Sequence, residues 1–525
     1  MQKVSCDALQ LSQPLYDVAA TRHIEQRAAL AVPPHTLMQR AGLSATRLTM
    51  ALRPHAQRIW VACGPGNNGG DGFEAAMQLH RLGKQVVVTW TGPGKNGLPP
   101  DAQASYDRAV AAGVPMATEP PPTFDFCIDA LLGIGGTLGT EGSHEGQRLM
   151  EKWLHLMYVS QAARLAIDVP TGLQADTGHS NPENATKYIA YSPRKICPKD
   201  LFTLSFLTLK PGLFTAEGRD RAGEVWFDDL GVAAVDTAFA QPCAWLLGAD
   251  RVTSQRRSQA LNASHKGSFG DVAVIGGEST PTSHMAGAAL LAARAALHSG
   301  AGRVFVALLG TASECNSSAS MTVDPVQPEL MFRSPEALDF KRQVIVCGCG
   351  GGTAVKTVLP ELLSSAAALV LDADALNAVA LDVHFQASLQ TRLARGYSTV
   401  LTPHPLEAAR LLGLKTIDVQ ADRLRAARQL ADHFQAVVVL KGSGTVIAAP
   451  GQVSCINSSG NALLATAGTG DVLAGMVGAA LASGLRAFDA ACSAVFAHGR
   501  LADDWAVSHP GRALTASRLA SSQSS

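Results

Sequence analysis

The chain is poor in aromatic residues, 5 %, and in charged ones, 16 %, and its formal net charge is zero. With no basic or acidic excess there is no electrostatic case for nucleic acid or an anionic membrane surface, and neither is expected as a partner. No apolar run reaches membrane-spanning length. Met1 to Ala20 lacks a basic segment followed by an apolar core, so no signal peptide is expected. The ten cysteines are scattered, and no CxxC pair occurs. That excludes a zinc-ligand pattern and a disulfide framework, and a reducing, cytoplasmic setting is expected.

What is abundant is small: 49 glycines, with alanine frequent throughout the 525 residues. This suits an α/β enzyme with close helix–sheet packing. The length calls for two or three domains. Apolar, mostly unalternating runs at Gln85–Trp90, Phe124–Ala130, Arg164–Val169, Asp271–Gly276, Arg303–Leu308, Gln343–Cys347, Ala368–Asp372 and Ala436–Leu440 read as strands of sheets covered on both faces. A polar, basic stretch from Arg251 to Gln259 follows Gln241-Pro242 and places a domain boundary near residue 243. Ser521–Ser525 reads as a disordered tail.

Gly64-Pro65-Gly66-Asn67-Asn68-Gly69-Gly70-Asp71-Gly72 lies between a strand-like run, Arg58–Cys63, and a helical one, Phe73–Leu82. A glycine loop there offers backbone N–H groups to an anion, normally a phosphate. Gly64, Gly66 and Gly69 also fit the dinucleotide pattern, but the next strand runs into Thr91-Gly92-Pro93 with no carboxylate for a ribose. A tight turn with Asx caps is the alternative. Asp129 ends a strand and precedes a second glycine loop, Gly133-Ile134-Gly135-Gly136-Thr137-Leu138-Gly139; Asp168 ends the next and leads into Val169-Pro170-Thr171-Gly172. Carboxylates at the C-terminal ends of parallel strands converge on the usual ligand crevice, although one such Asp alone is as readily a helix cap.

In the second half, Ala465-Thr466-Ala467-Gly468-Thr469-Gly470-Asp471 opens an apolar helix. Small residues there let N–H groups approach a transferring phosphoryl group, and Asp471 can accept a hydroxyl proton. Lys441-Gly442-Ser443-Gly444-Thr445 offers a cation, a hydroxyl and free N–H groups to nucleotide phosphates, without Walker spacing. Thr402-Pro403-His404-Pro405 holds a histidine on a proline-stiffened loop, where solvated surface and site are equally open readings.

GPGNNGGDG, DALLG, DVPTGL with Asp176-Thr177-Gly178, Leu37–Gly42 and Leu209–Leu213 resemble the NAD(P)H-hydrate epimerase domain over about residues 15–240. His265–Gly270, Ala286-Gly287-Ala288, Ser299–Gly302, Asp372–Asn377, TPHPLEAARLL, KGSGT and AGTGDVLAG resemble the ribokinase-like, ADP-dependent NAD(P)H-hydrate dehydratase over about residues 250–510. The resemblance implies two three-layer αβα domains, Rossmann-like over 1–243 and ribokinase-like over 244–525. It implies that Asn67, Asn68, Gly69, Gly70, Asp71 and Gly133 to Gly139 hold the hydrated cofactor, with Asp168 catalytic near its reacting centre. Asn68, Asp129 and Thr171 would give oxygens to K+. Ala288, Gly350, His404 and Asp471 would touch the hydrate in the second domain, with Asp471 catalytic. Lys441 to Thr445 and Gly470 would bind ADP, with Mg2+ on its phosphates. The implied substrates are NADHX and NADPHX, and a homo-oligomer is expected. The alternative is a small-molecule kinase of the ribokinase superfamily fused to a non-catalytic epimerase-like binding module.

Four departures from the family pattern stand out. Ile134 replaces a threonine; Asn184–Asp200, with Lys187, Tyr188, Arg194 and Lys195, is extra sequence; Gly348-Cys349-Gly350-Gly351-Gly352 replaces GPGLG; and Ala467 replaces a glycine.

Overall fold

The computed structural model describes residues 1–5, 11–94, 97–136, 144–180, 200–232, 240–251, 261–310 and 323–522. Thr137, Leu138 and Gly139, almost all of the extra segment 184–200, most of the basic stretch after Arg251 and the last three residues lie outside that set. The chain divides into two compact units, the change falling between Ala244 and Trp245, with Gln10–Ser12 grouped with the second.

The strands of the first part are β1 (Gln2–Val4), β2 (Gln13–Leu15), β3 (Arg58–Cys63), β4 (Gln85–Trp90), β5 (Met116–Ala117), β6 (Phe126–Ala130), β7 (Ala163–Ile167), β8 (Leu201–Phe206) and β9 (Glu224–Asp228). Its sheet runs β1-β9-β8-β7-β6-β3-β4-β5. All neighbours are parallel except β1 on β9. Alternate residues of β3 enter different cores. Ile59, Val61 and Cys63 pack with Phe73 and Phe126 on one face, whereas Trp60 and Ala62 pack with Trp153 and Leu154 of the helix His144–Val159 on the other. Both faces are therefore covered, as the unalternating apolar runs require.

The second unit contains β10 (Ala244–Leu247), β11 (Asp271–Thr280), β12 (Ser283–His284), β13 (Arg303–Gly310), β14 (Met331–Phe332), β15 (Val344–Cys347), β16 (Ala368–Leu371), β17 (Ser398–Leu401), β18 (Val437–Leu440), β19 (Val446–Ala448) and β20 (Ser454–Asn457). The order is β14-β13-β11-β15-β16-β17-β18-β19-β20-β10, parallel through β18 and antiparallel at β19 and β20. The central strands β15 to β18 are buried along nearly their whole length.

One expectation changes. The nine-residue glycine stretch is only partly loop, because the helix Asn67–Arg81 begins at Asn67. Most of its glycines are there for close packing. A Cβ at Gly64 would sit 1.7 Å from the Leu131 carbonyl oxygen, at Gly69 2.2 Å from the Gly64 oxygen, and at Gly70 2.6 Å from Met38 Sδ. Gly66 is the exception, with nothing within 4 Å of a Cβ, and it lines a cavity. Gly64→Ala should destabilise the first unit by about 1–3 kcal/mol or more, as overpacking against backbone does. Gly66→Ala should leave stability nearly unchanged and weaken only what the cavity binds. Thermal unfolding of the two variants beside the parent checks this.

Candidate functional site

The first unit's cavity, about 400 Å3, opens where the parallel strands end. Asn67, Asn68, Asp71, Gly133 to Gly136 and Asp168 all line it, together with Glu25 and Lys210. Asp168 has φ 64°, a left-handed conformation unusual for a residue with a side chain. Its backbone N–H donates to the Leu204 carbonyl at 2.8 Å, and its Oδ1 accepts from the Phe206 N–H at 3.2 Å. The Lys210 ammonium donates to the same oxygen, to the Phe206 carbonyl at 2.8 Å and to Ser205 Oγ at 3.2 Å. Lys210 has no solvent exposure. The left-handed backbone at Asp168 persists because the surrounding hydrogen bonds over-determine it, the pattern common at binding and catalytic positions.

Asp71 differs. Its carboxyl makes no hydrogen bond or ion pair to any described residue. Burial first, then the charges of Asp168 and Glu25, push it well above the usual carboxylate range. Glu25 is raised as well, by burial and then by Asp168.

Asp129 is buried, and Thr171 binds it twice, with its hydroxyl at 2.7 Å and its N–H at 3.1 Å. The Thr171 hydroxyl also accepts from the Leu132 N–H at 3.0 Å. So Asp129 does tie the two loops together by hydrogen bonding. Among the described residues no cationic side chain forms an ion pair with it. Nearby, the buried Asn68 amide nitrogen has no partner, and the Asn68 side chain lies against Gly133. A buried carboxylate without an ion pair, beside an unsatisfied amide and a hydroxyl, all oxygen donors once the amide is turned, fits a hard monovalent cation.

In the second unit the site forms where β15, β16 and β18 end. Asp372 is buried after β16; its Oδ1 accepts from Thr402 Oγ1 at 2.8 Å and from Lys441 Nζ at 2.6 Å. A Cβ on Gly470 would lie 3.2 Å from Lys441 Nζ, so the helix Thr469–Ala482 starts directly over this pair. Donor atoms of Cys349, Asp372 and Asp471 lie within 4.8 Å of one another. Burial, then Asp372, raises Asp471 to about 7, and the Cys349 thiol donates a hydrogen bond to it. With a thiol on one carboxylate and a lysine on the other, this trio does not fit a hard divalent cation by itself. Gly350 stands at φ 59°, where a Cβ would come 2.9 Å from Ala288 Cβ, so these two expected residues meet.

The turn Lys441–Thr445 joins β18 to β19 and is braced by Arg423, whose guanidinium donates to the Leu440 and Lys441 carbonyls, both at 3.1 Å. The Thr445 hydroxyl donates to the Gly442 carbonyl at 3.1 Å. His404 caps the helix Pro405–Leu412: its Nδ1 accepts from the N–H groups of Leu406 and Glu407, and the Glu407 carboxylate accepts from the His404 N–H. Burial and then the Lys441 ammonium hold His404 below its ordinary pKa, so it is neutral at pH 7. The lone-histidine signal therefore belongs, in part, to a helix cap.

Residues 272–524 match the family model for NAD(P)H-hydrate dehydratase, and residues 34–212 that for the YjeF-related protein N-terminus. The bifunctional NAD(P)H-hydrate repair enzyme Nnr of Escherichia coli is 33 % identical over 504 residues, covering 92 % of this chain and 88 % of that protein. The chain belongs to the bifunctional NAD(P)H-hydrate repair enzyme family. The ADP-dependent (S)-NAD(P)H-hydrate dehydratase of Neisseria meningitidis is 43 % identical over 248 residues, 46 % of this chain and 78 % of that one. The solved Bacillus subtilis ADP/ATP-dependent NAD(P)H-hydrate dehydratase, co-crystallised with ATP/Mg2+, has 30 % identity, a TM-score of 0.42, and covers 51 % of this chain and 92 % of that chain.

Several residues of this repair-enzyme scaffold escape a reading by motif. Lys210 was visible only as part of Leu209–Leu213. His498 is buried in the helix Ala487–Ser508, its pKa lowered to about 4 by burial, and its Nε2 donates to the Thr469 carbonyl at 3.0 Å. It fixes the start of the Asp471 helix from behind, with no sequence signal beyond a single histidine.

Because Asp471 is raised, the fold favours its protonated form. That contribution is complete below the unfolded value near 4 and is lost as pH rises through about 7. Asp471→Asn should therefore match the parent's melting temperature at pH 4 and exceed it by roughly a few degrees above pH 7. Calorimetry across that range checks the sign.

Proposed function

We propose that the chain repairs hydrated nicotinamide cofactors at two sites. The first unit interconverts the R and S forms of NADHX and NADPHX. The second dehydrates the S form with ADP, releasing AMP and phosphate. The observation that carries the reading is the placement of Asp471 at a glycine-rich helix start, within 4.8 Å of Asp372 and beside a lysine-bearing turn suited to phosphates.

Asp471 takes the proton of the ring hydroxyl, and that oxygen forms a bond to the β-phosphorus of ADP. The bond from the β-phosphorus to the bridging oxygen breaks, and AMP leaves. The ring C–O bond of the resulting phosphate ester then breaks as the adjacent ring carbon gives its proton to the departing phosphate, restoring the reduced ring and freeing phosphate. Lys441, the turn through Thr445 and the N–H groups near Gly470 stabilise the phosphoryl charge. Ala288, Gly350 and His404 shape the hydrate pocket. Mg2+ would come with the nucleotide, supplying charge neutralisation at its phosphates. Asn68, Asp129 and Thr171 would hold K+, balancing the charge of Asp129. A cytoplasmic homo-oligomer completes the reading. The kinase alternative is disfavoured because curated relatives bearing the repair-enzyme name match across both halves.

Fragments 1–243 and 244–525 should each fold. The first should epimerise without ADP, and the second should consume only the S form. In the full chain, Asp471→Asn should slow dehydration by about two to four orders of magnitude and leave epimerisation intact. Dehydration in the parent should fall below about pH 7 as Asp471 protonates. Epimerisation should rise with potassium at constant ionic strength and respond poorly to sodium. Near-parental dehydration by Asp471→Asn would remove Asp471 as the base.

A further inference from the structure

Within the first unit's cavity one carboxyl stands apart. Asp168 is bound by Lys210 and the Phe206 N–H. Asp71 lines the same cavity and has neither a hydrogen bond nor an ion pair to any described residue. We propose that Asp71 is the general acid of the epimerisation and works opposite Asp168 as the base, an inference that rests on the epimerase reading of this cavity.

The chemistry of the substrate asks for such a pair. A dihydropyridine is an enamine, so hydration places the hydroxyl on the carbon beside the ring nitrogen. Inversion at that carbon requires one of its bonds to open. The Asp71 carboxyl gives its proton to the hydroxyl, the C–O bond breaks, and water departs. The nitrogen lone pair forms the C=N bond of an iminium ion. Water then adds from the opposite face and gives a proton to the Asp168 carboxylate as the new C–O bond forms. Exchange of protons with solvent through the open cavity restores both groups.

The surroundings of Asp71 favour this role. Glu25 from the helix Val18–Leu30, Asp101 from the helix Pro100–Ala111 and Asp168 after β7 line the cavity with it, and their charges, with that of Glu74 on its own helix, act on it. Cys63 at the end of β3 feels its charge as well. No cationic side chain of the described residues forms an ion pair with Asp71, and His35 is held by Asp101 at 2.5 Å. Lys210 binds Asp168, and Arg108 binds Glu74 at 2.8 Å. Arg22 lines the cavity and packs against Gly135, and its charge acts on Glu25. Burial among carboxylates favours the protonated form of such a group, the direction an acid needs.

The test uses the full chain and the R hydrate in 18O-labelled water, without ADP, followed by chiral separation and mass spectrometry. The parent is expected to place one labelled oxygen in each inverted hydrate, and its rate is expected to fall as pH rises. Asp71→Asn is expected to lose about 100-fold or more in epimerisation kcat, with KM within about threefold and the pH dependence gone. Asp71→Glu is expected to recover part of the rate. Folding is monitored by melting temperature, which Asp71→Asn should not lower, and by dehydration of the S hydrate, which it should retain. Epimerisation by Asp71→Asn within threefold of the parent, or inversion with the original oxygen retained, overturns the acid role while leaving the epimerase reading intact. A parent that does not epimerise at all overturns that reading and the proposal with it.

Discussion

Both sites depend on a lysine brought to an aspartate at the end of a parallel strand. Lys210 is fully buried on Asp168, and Lys441 is largely buried on Asp372. Removing two such charges from water is costly, and removing only one partner would leave an uncompensated charge in the interior. Each pair is retained where it also has other hydrogen-bond partners: Ser205 and Phe206 for the first, Thr402 for the second. These pairs fix the walls of the sites, and the neighbouring elements adapt. Gly470 leaves room above Lys441, and the chain at Asp168 accepts a left-handed backbone.

A second carboxyl then stands near each pair without a cation of its own. Asp71 and Asp471 form no ion pair among the described residues, and burial raises both. Environments that separate the behaviour of adjacent acids are how one site obtains a proton donor and an acceptor at the same pH. The arrangement recurs on two sheets of different strand order, so it reflects what strand ends offer: converging side chains, free N–H groups and partial shelter from water. The same burial that tunes Asp471 makes its ionised form a burden on the fold, a common relation between active sites and stability.

Much of this was legible in the sequence. The strands appear within a few residues of their apolar runs, because buried parallel strands need unbroken hydrophobic segments. Glycine loops and strand-end aspartates pointed to both sites. The glycines themselves were misread in part: Gly69, Gly70 and Gly72 lie within a helix, and it is packing against neighbouring chain segments that demands them. For His404 the sequence left surface and site equally open, and the helix cap went unread because a capping box is recognised by its geometry with Glu407. Lys210, Arg423 and His498 gave little signal, since a buried polar residue is defined by what surrounds it. The surroundings of Asp71 were hidden for the same reason, as its neighbours Glu25 and Asp168 are distant in sequence and meet only in the cavity.

The central claim is that one chain converts both hydrate forms because one unit supplies what the other consumes. The most direct test follows reduced cofactor to completion from an R and S mixture, with excess ADP, Mg2+ and K+ and the full chain as sole enzyme. The account predicts that the yield equals the total hydrate, with one AMP released per reduced cofactor formed. A yield that stops at the initial S fraction, or reduced cofactor formed without AMP, would contradict it.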